Sequence, residues 1–184
     1  KMESSSSFVE TESVVGAARR FLEGDDIAGE QVWDLSLDRA TAQVLVDRCR
    51  IADVVAHVAA STKTDRLREI CVGIAANLKA HDLVDAVPVV QDLFFDSADP
   101  ATLGECLRYF CADPPVIDDD DLLKEKLLFI VHNSLDAALV ARVFALLLRR
   151  PRGKKNDAHP EDGSEDRETV SEDRETVSED RETV

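Results

Sequence analysis

Apolar residues recur at helical spacing along most of the chain, and the clearest run lies between Asp65 and Leu78. Leu67, Ile70, Cys71, Ile74 and Leu78 fall at offsets 0, 3, 4, 7 and 11, which a 3.6-residue period places on one stripe of a helix. Val72, Ala75 and Ala76 widen the stripe, so this helix is expected to be covered from more than one side. Thr64 suits its N-cap, and Lys79 stands near its end, where a cation offsets the carbonyl dipole. Gly73 in the interior costs about 1 kcal/mol against alanine, a cost that fits a neighbouring backbone passing close by.

The same spacing predicts further helices on both sides. Phe8 to Leu22 carries Val14, Val15, Ala18 and Leu22 on one face, with Gly24 as a stop. Val32, Trp33, Leu35 and Leu37 form a compact apolar cluster, after which Asp38 caps a helix holding Ala42, Leu45, Val46 and Cys49. Ile51 to Ala60 makes a shorter helix. From there the pattern repeats as short helix, polar elbow, longer helix: Leu67, Leu103 and Leu139 recur every 36 residues, and Ile74, Phe110 and Leu146 keep that interval. Thr64 with Asp65, Asp99 with Pro100, and Ser134 supply the start signals of the three longer helices. The run Asp118 to Asp121 precedes a helix near Leu122, whose positive dipole end offsets its charge. A period of this length made of helix pairs predicts an all-α fold, an α-solenoid of about three repeats, with the helices before Cys49 as an N-terminal cap.

Composition agrees with helices over strands. The 184 residues hold 44% apolar but only 5% aromatic positions, and 7 Gly with 6 Pro punctuate too few turns for many hairpins. Residues 1–7 are polar and serine-rich and read as disordered, 8–150 as the helical domain, and 151–184 as a basic run followed by a disordered acidic tail. The net charge of −16 argues against a nucleic-acid backbone as partner. Much of it is local. The heptapeptide SEDRETV occurs three times from Ser164, each copy with three acids and one Arg, and Asp157, Glu161 and Asp162 bring the tail to −9. One valine per seven residues cannot form a coiled-coil seam. The terminal Glu-Thr-Val matches the type of a carboxylate-capture peptide. No apolar run approaches the roughly 20 residues of a membrane span, so no membrane is expected as partner, and the protein is expected to be soluble.

The strings VWDLSLD, Val32 to Asp38, and LREICVGIAANL, Leu67 to Leu78, resemble the serum amyloid A-like, synoviocyte-proliferation-associated protein family. The resemblance covers residues 30–80 closely and 85–150 as a pattern; members of the family are longer, which marks this chain as a short form or a piece. It implies an armadillo-like fold and a non-enzymatic protein-interaction scaffold linked to cell proliferation, in the nucleus or cytoplasm. Peptide-binding armadillo proteins line their groove with an Asn on each third helix and a Trp one turn earlier. Asn77 matches that Asn, but the same position one and two repeats on is Asp113 and Arg149, and the Trp positions are Gly73, Tyr109 and Ala145. The resemblance therefore does not extend to recognition of basic import signals.

Within this reading, Arg66, Asn77, Arg108, Tyr109 and Arg142 are the candidate partner-binding residues of a face built from the longer helices. Asn77 has a simpler role open to it, bonding backbone near a helix end, and Trp33 reads more as an anchor of the N-terminal cap than as a ligand platform. Arg149, Arg150, Arg152, Lys154 and Lys155 form a nuclear-import candidate, although Arg149 and Arg150 also suit a helix C-terminus. Cys49, Cys71, Cys106 and Cys111 show no paired spacing and read as small buried apolar residues, with disulfides the alternative. His57, His81, His132 and His159 have no metal-ligand spacing, and no nucleophile sits in a triad or phosphate-loop context. No metal, cofactor or catalytic residue is expected. A different class of function remains open, a regulatory co-chaperone whose helical stack embraces an Hsp70-type ATPase lobe.

Overall fold

The computed structural model describes residues 4–85, 87–112 and 120–149, in which nine helices follow one another and no strand occurs. All lie in the first of the two units into which the chain divides, Lys1–Pro151. In order they are α1 (Ser4–Leu22), α2 (Asp26–Leu35), α3 (Arg39–Cys49), α4 (Ile51–Ser61), α5 (Asp65–Ala80), α6 (Pro88–Asp96), α7 (Pro100–Ala112), α8 (Asp120–Asn133) and α9 (Ala137–Arg149).

Local chemistry sets most of the boundaries. Side chains accept hydrogen bonds from the first free amides of α2 (Asp25 from Ala28, 3.0 Å), α3 (Asp38 from Thr41, 2.9 Å), α5 (Thr64 from Leu67, 3.4 Å) and α7 (Asp99 from Thr102, 2.7 Å). The start of α9 corrects the sequence reading. Its cap is Asp136, which accepts from Ala138 at 2.8 Å, while the Ser134 hydroxyl accepts from Asp136 N in the elbow. Gly24, at φ +88°, turns the chain out of α1. Between α3 and α4 there is no glycine. Arg50 adopts φ 49° in a one-residue break and pairs with Asp53 at 2.7 Å.

Two other expectations change. Helix α1 starts at Ser4, ahead of Phe8 and within the 1–7 stretch, and the apolar cluster around Trp33 belongs to a helix, α2, that starts seven residues before Trp33. Asp113, Asp118 and Asp119, Arg150 and the segment 151–184 lie outside the described residues, while Asp120 and Asp121 open α8.

Helix α2 packs on α5, α5 on α7 and α7 on α9, while α4 and α6 pack behind α5 and α7. Helix α1 closes the N-terminal side against α2, α3 and α4, and α8 lies against α9. The buried core runs from Phe21 and Leu45 through Ile70, Ile74 and Leu78 to Leu107 and Leu146. At its middle Phe94 meets Phe110 edge-on at 5.2 Å between centroids. Leu67, Leu103 and Leu139 are all buried, as are Ile74, Phe110 and Leu146. Gly73 does sit under a close neighbour, but that neighbour is the Trp33 indole, not a backbone: a Cβ at 73 would overlap Cε2 and Cζ2 and lie 2.6 Å from Nε1.

Candidate functional site

Neighbouring helices α2, α5, α7 and α9 leave between them an open groove of about 430 Å³. Glu30, Trp33 and Asp34 come from α2 and Leu37 from the turn after it, Arg66 and Asn77 from α5, Glu105 and Arg108 from α7, and Arg142 from α9. Small residues let these side chains reach the groove. Gly73 admits the Trp33 ring, and Gly104 admits Arg142, whose Nη1 would stand 2.8 Å from a Cβ there.

Charge in the groove is arranged in pairs. Arg66 donates from Nη2 to Glu30 Oε1 at 2.5 Å and from Nη1 to Glu69 Oε2 at 2.6 Å, with its guanidinium 5.8 Å above the Trp33 ring. These hydrogen bonds, Glu30 first, hold its pKa above even the usual arginine value. Arg108 donates to Glu105 Oε2 at 2.7 Å, to Asn77 Oδ1 at 2.6 Å and to Gly73 O at 3.0 Å. Arg142 stands 3.7 Å from the other oxygen of Glu105. Alternating guanidinium and carboxylate groups, with one indole and one exposed leucine, suit recognition of a polar chain with an apolar anchor.

Asn77 lies in the floor of the groove, 3% exposed. Its Nδ2 donates to Ser36 Oγ at 2.8 Å and to Trp33 O at 3.4 Å, while Oδ1 receives Arg108. The amide therefore joins the ends of α2, α5 and α7, and both of its polar atoms are satisfied within the protein.

Of the five residues predicted for the partner face, Arg66, Asn77, Arg108 and Arg142 converge on the groove. Tyr109 does not. It is buried, and its hydroxyl accepts a hydrogen bond from Val87 N at 2.9 Å, securing the start of α6. Sequence reasoning missed Glu30, Asp34, Leu37 and Glu105 and assigned Trp33 to packing. Glu30, Trp33, Asp34 and Leu37 stand at offsets 0, 3, 4 and 7, one helix face, so the signal was present once α2 is recognised. Trp33 does pack against the buried core, as expected, and exposes its remaining edge to the groove.

The other candidates lie elsewhere. Arg149 ends α9 and donates to Cys111 O; Arg150, Arg152, Lys154 and Lys155 are outside the described residues. All four cysteines are free thiols, Cys71 and Cys106 buried and Cys49 and Cys111 half-buried. Burial pushes the Cys71 thiol up to about 12 and the Cys106 thiol further still, which keeps both unreactive near neutrality. Among the described residues no group of His, Cys, Asp and Glu is arranged to hold a metal, and no helix is long and apolar enough to cross a membrane.

Three curated proteins are similar to this chain. Protein saal1 of Xenopus tropicalis is 29% identical over 136 residues, 65% of this chain and 29% of that protein. Protein saal1 of Danio rerio is 30% identical over 134 residues, 64% and 28%. Protein SAAL1 of Homo sapiens is 30% identical over 89 residues, 47% and 17%. The chain spans less than a third of the length of these relatives. No family model matches it, and no solved structure matches it significantly.

Proposed function

From the premise that this chain is a distant, family-level relative of the SAAL1 proteins, we propose that it is an armadillo-like stack of three helix pairs that binds another protein through the groove of α2, α5, α7 and α9. The pairs are α4 with α5, α6 with α7 and α8 with α9; in support, their second helices carry matched buried positions 36 residues apart and pack in sequence. In the last pair the first helix, at 14 residues, is longer than the second, at 13, against the sequence expectation. The observation that carries the binding reading is the convergence of side chains from four separate helices on one open groove. Stability does not call for Glu30 and Arg66 to meet at a surface, since the pair is about half exposed on both sides and pairs of that kind contribute little. In this reading the protein works without catalysis, as a scaffold linked to cell proliferation, in the nucleus or cytoplasm. It takes a peptide segment that sets a carboxylate against Arg142 or Arg66 and an apolar side chain against Trp33 and Leu37.

The test is quantitative affinity capture from proliferating cells with the wild-type chain and with the double variant Arg66→Ala/Arg142→Ala. Both side chains are partly exposed, so folding, followed by circular dichroism, is retained. Specific partners are expected to fall at least tenfold in the variant. An unchanged set of captured proteins overturns the groove as the binding surface.

A further inference from the structure

The three arginines of the groove are not equivalent. Every nitrogen of the Arg66 guanidinium carries a hydrogen bond: Nε and Nη2 donate to Glu30 and Nη1 to Glu69. Arg108 is engaged in the same way, Nε on Glu105, Nη1 on Asn77 Oδ1 and Nη2 on Gly73 O. The Arg142 guanidinium makes no hydrogen bond to any described residue, and its ion pair with Glu105 Oε1 spans 3.7 Å, beyond hydrogen-bond length. It is held in place all the same. Its Nη1 rests over Gly104, where a Cβ would stand 2.8 Å away, and the attraction of Glu105 keeps it there.

Charge is also divided across the groove. Its α2 and α5 side is lined by Glu30, Asp34 and Arg66, two carboxylates against one guanidinium; its α7 and α9 side by Glu105, Arg108 and Arg142, two guanidiniums against one carboxylate. Each side keeps one group unspent. On the second it is Arg142. On the first it is Asp34, which is exposed and whose carboxylate has no hydrogen bond or ion pair with any described residue. Trp33 and Leu37, the apolar part of the lining, belong to the side of Asp34.

We propose, resting on the groove as the binding surface, that its occupant is a dipolar peptide segment laid across the helices. A Lys or Arg of the segment meets Asp34, an apolar side chain beside it meets Trp33 and Leu37, and a carboxylate is received by Arg142. A guanidinium takes a carboxylate through two parallel charge-assisted hydrogen bonds, about twice as strong as neutral ones. Arg66 and Arg108 already neutralise carboxylates of the protein at hydrogen-bond distance, so Arg142, and not Arg66, reads the acid. The exposed contact at Asp34 contributes direction more than affinity. Packing sets the reach. From α2 through α5 and α7 to α9 there are three steps between neighbouring helices, each about 8–10 Å, and an extended chain covers about 3.3 Å per residue. Base and acid therefore stand no more than about nine residues apart, with the apolar residue nearer the base.

Selection from a displayed library of random dodecapeptides on the full chain decides the matter, with Arg142→Gln, Asp34→Lys and Arg66→Gln run in parallel and helical content followed by circular dichroism. The wild type is expected to enrich peptides that carry a base, an apolar residue beside it and an acid within about nine positions. In Arg142→Gln the enrichment of the acid falls at least tenfold while base and apolar residue stay; Asp34→Lys exchanges the preferred base for an acid; Arg66→Gln keeps the preference for the acid. A wild type that enriches no common pattern overturns the groove as a binding surface and this inference with it. Peptides enriched without the base and acid pair overturn the inference alone. So does an acid preference that persists in Arg142→Gln or disappears in Arg66→Gln. Asp34 is exposed and makes no side-chain bond to a described residue, so Asp34→Lys folds whatever Arg142→Gln does, and a base preference that survives it overturns the inference by itself.

Discussion

Gly73 and Trp33 form the contact on which the groove depends. The indole, contributed by α2, rests where a side chain of α5 would stand, so the glycine is required by a ring and not by backbone conformation. Exchanging Gly73 for alanine gains about 1 kcal/mol of helix propensity but forces the ring aside, and overpacking of this kind costs about 1–3 kcal/mol. The expected net effect is a loss of about 1 kcal/mol in urea unfolding, with a red-shifted emission from Trp33, the only tryptophan. A more stable variant with unshifted emission would contradict the contact. Asn77 is the second residue of this kind. Its replacement by alanine leaves Ser36 and Arg108 without their shared partner and should cost about 1–3 kcal/mol, read from the same unfolding curves; a change within a few tenths would contradict the network. The sequence marked Asn77 and the arginines but misjudged Tyr109. A tyrosine on a helix gives the same periodic signal whether its hydroxyl meets solvent or, as here, a backbone amide 22 residues away.

At the scale of elements, the helices with strong 3.6-residue stripes and cap residues were legible, and α5 has its cap and first residue where the pattern places them. Helix α2 was not. Its buried residues are Ala28, Gly29 and Val32, two of them too small to register as an apolar stripe, and the visible cluster around Trp33 follows them. The cap of α9 was misread because Ser134 and Asp136 both suit a helix start. Only geometry separates them, with Asp136 bonded to Ala138 and Leu139 and Ser134 to the elbow. Asp136→Ala is therefore expected to cost about 1 kcal/mol of stability, and Ser134→Ala clearly less; thermal melts of the two variants check the order. Equal losses, or a larger one for Ser134, would restore the sequence reading.

For the whole molecule, the interval of 36 residues was visible in the chain because core-facing leucines keep their register. The groove was not, because Trp33, Glu30 and Asp34 come from α2 and Leu37 from the turn after it, outside the helices that the repeat relates. The central claim is that protein partners enter between α2, α5, α7 and α9. Its most direct test is site-specific photo-crosslinking in cells, with p-benzoylphenylalanine in place of Leu37, which is 62% exposed at the groove, or of His57, exposed on α4. A defined adduct from position 37 with none from position 57 is the predicted result; adducts of equal yield from both, or from position 57 alone, would contradict it.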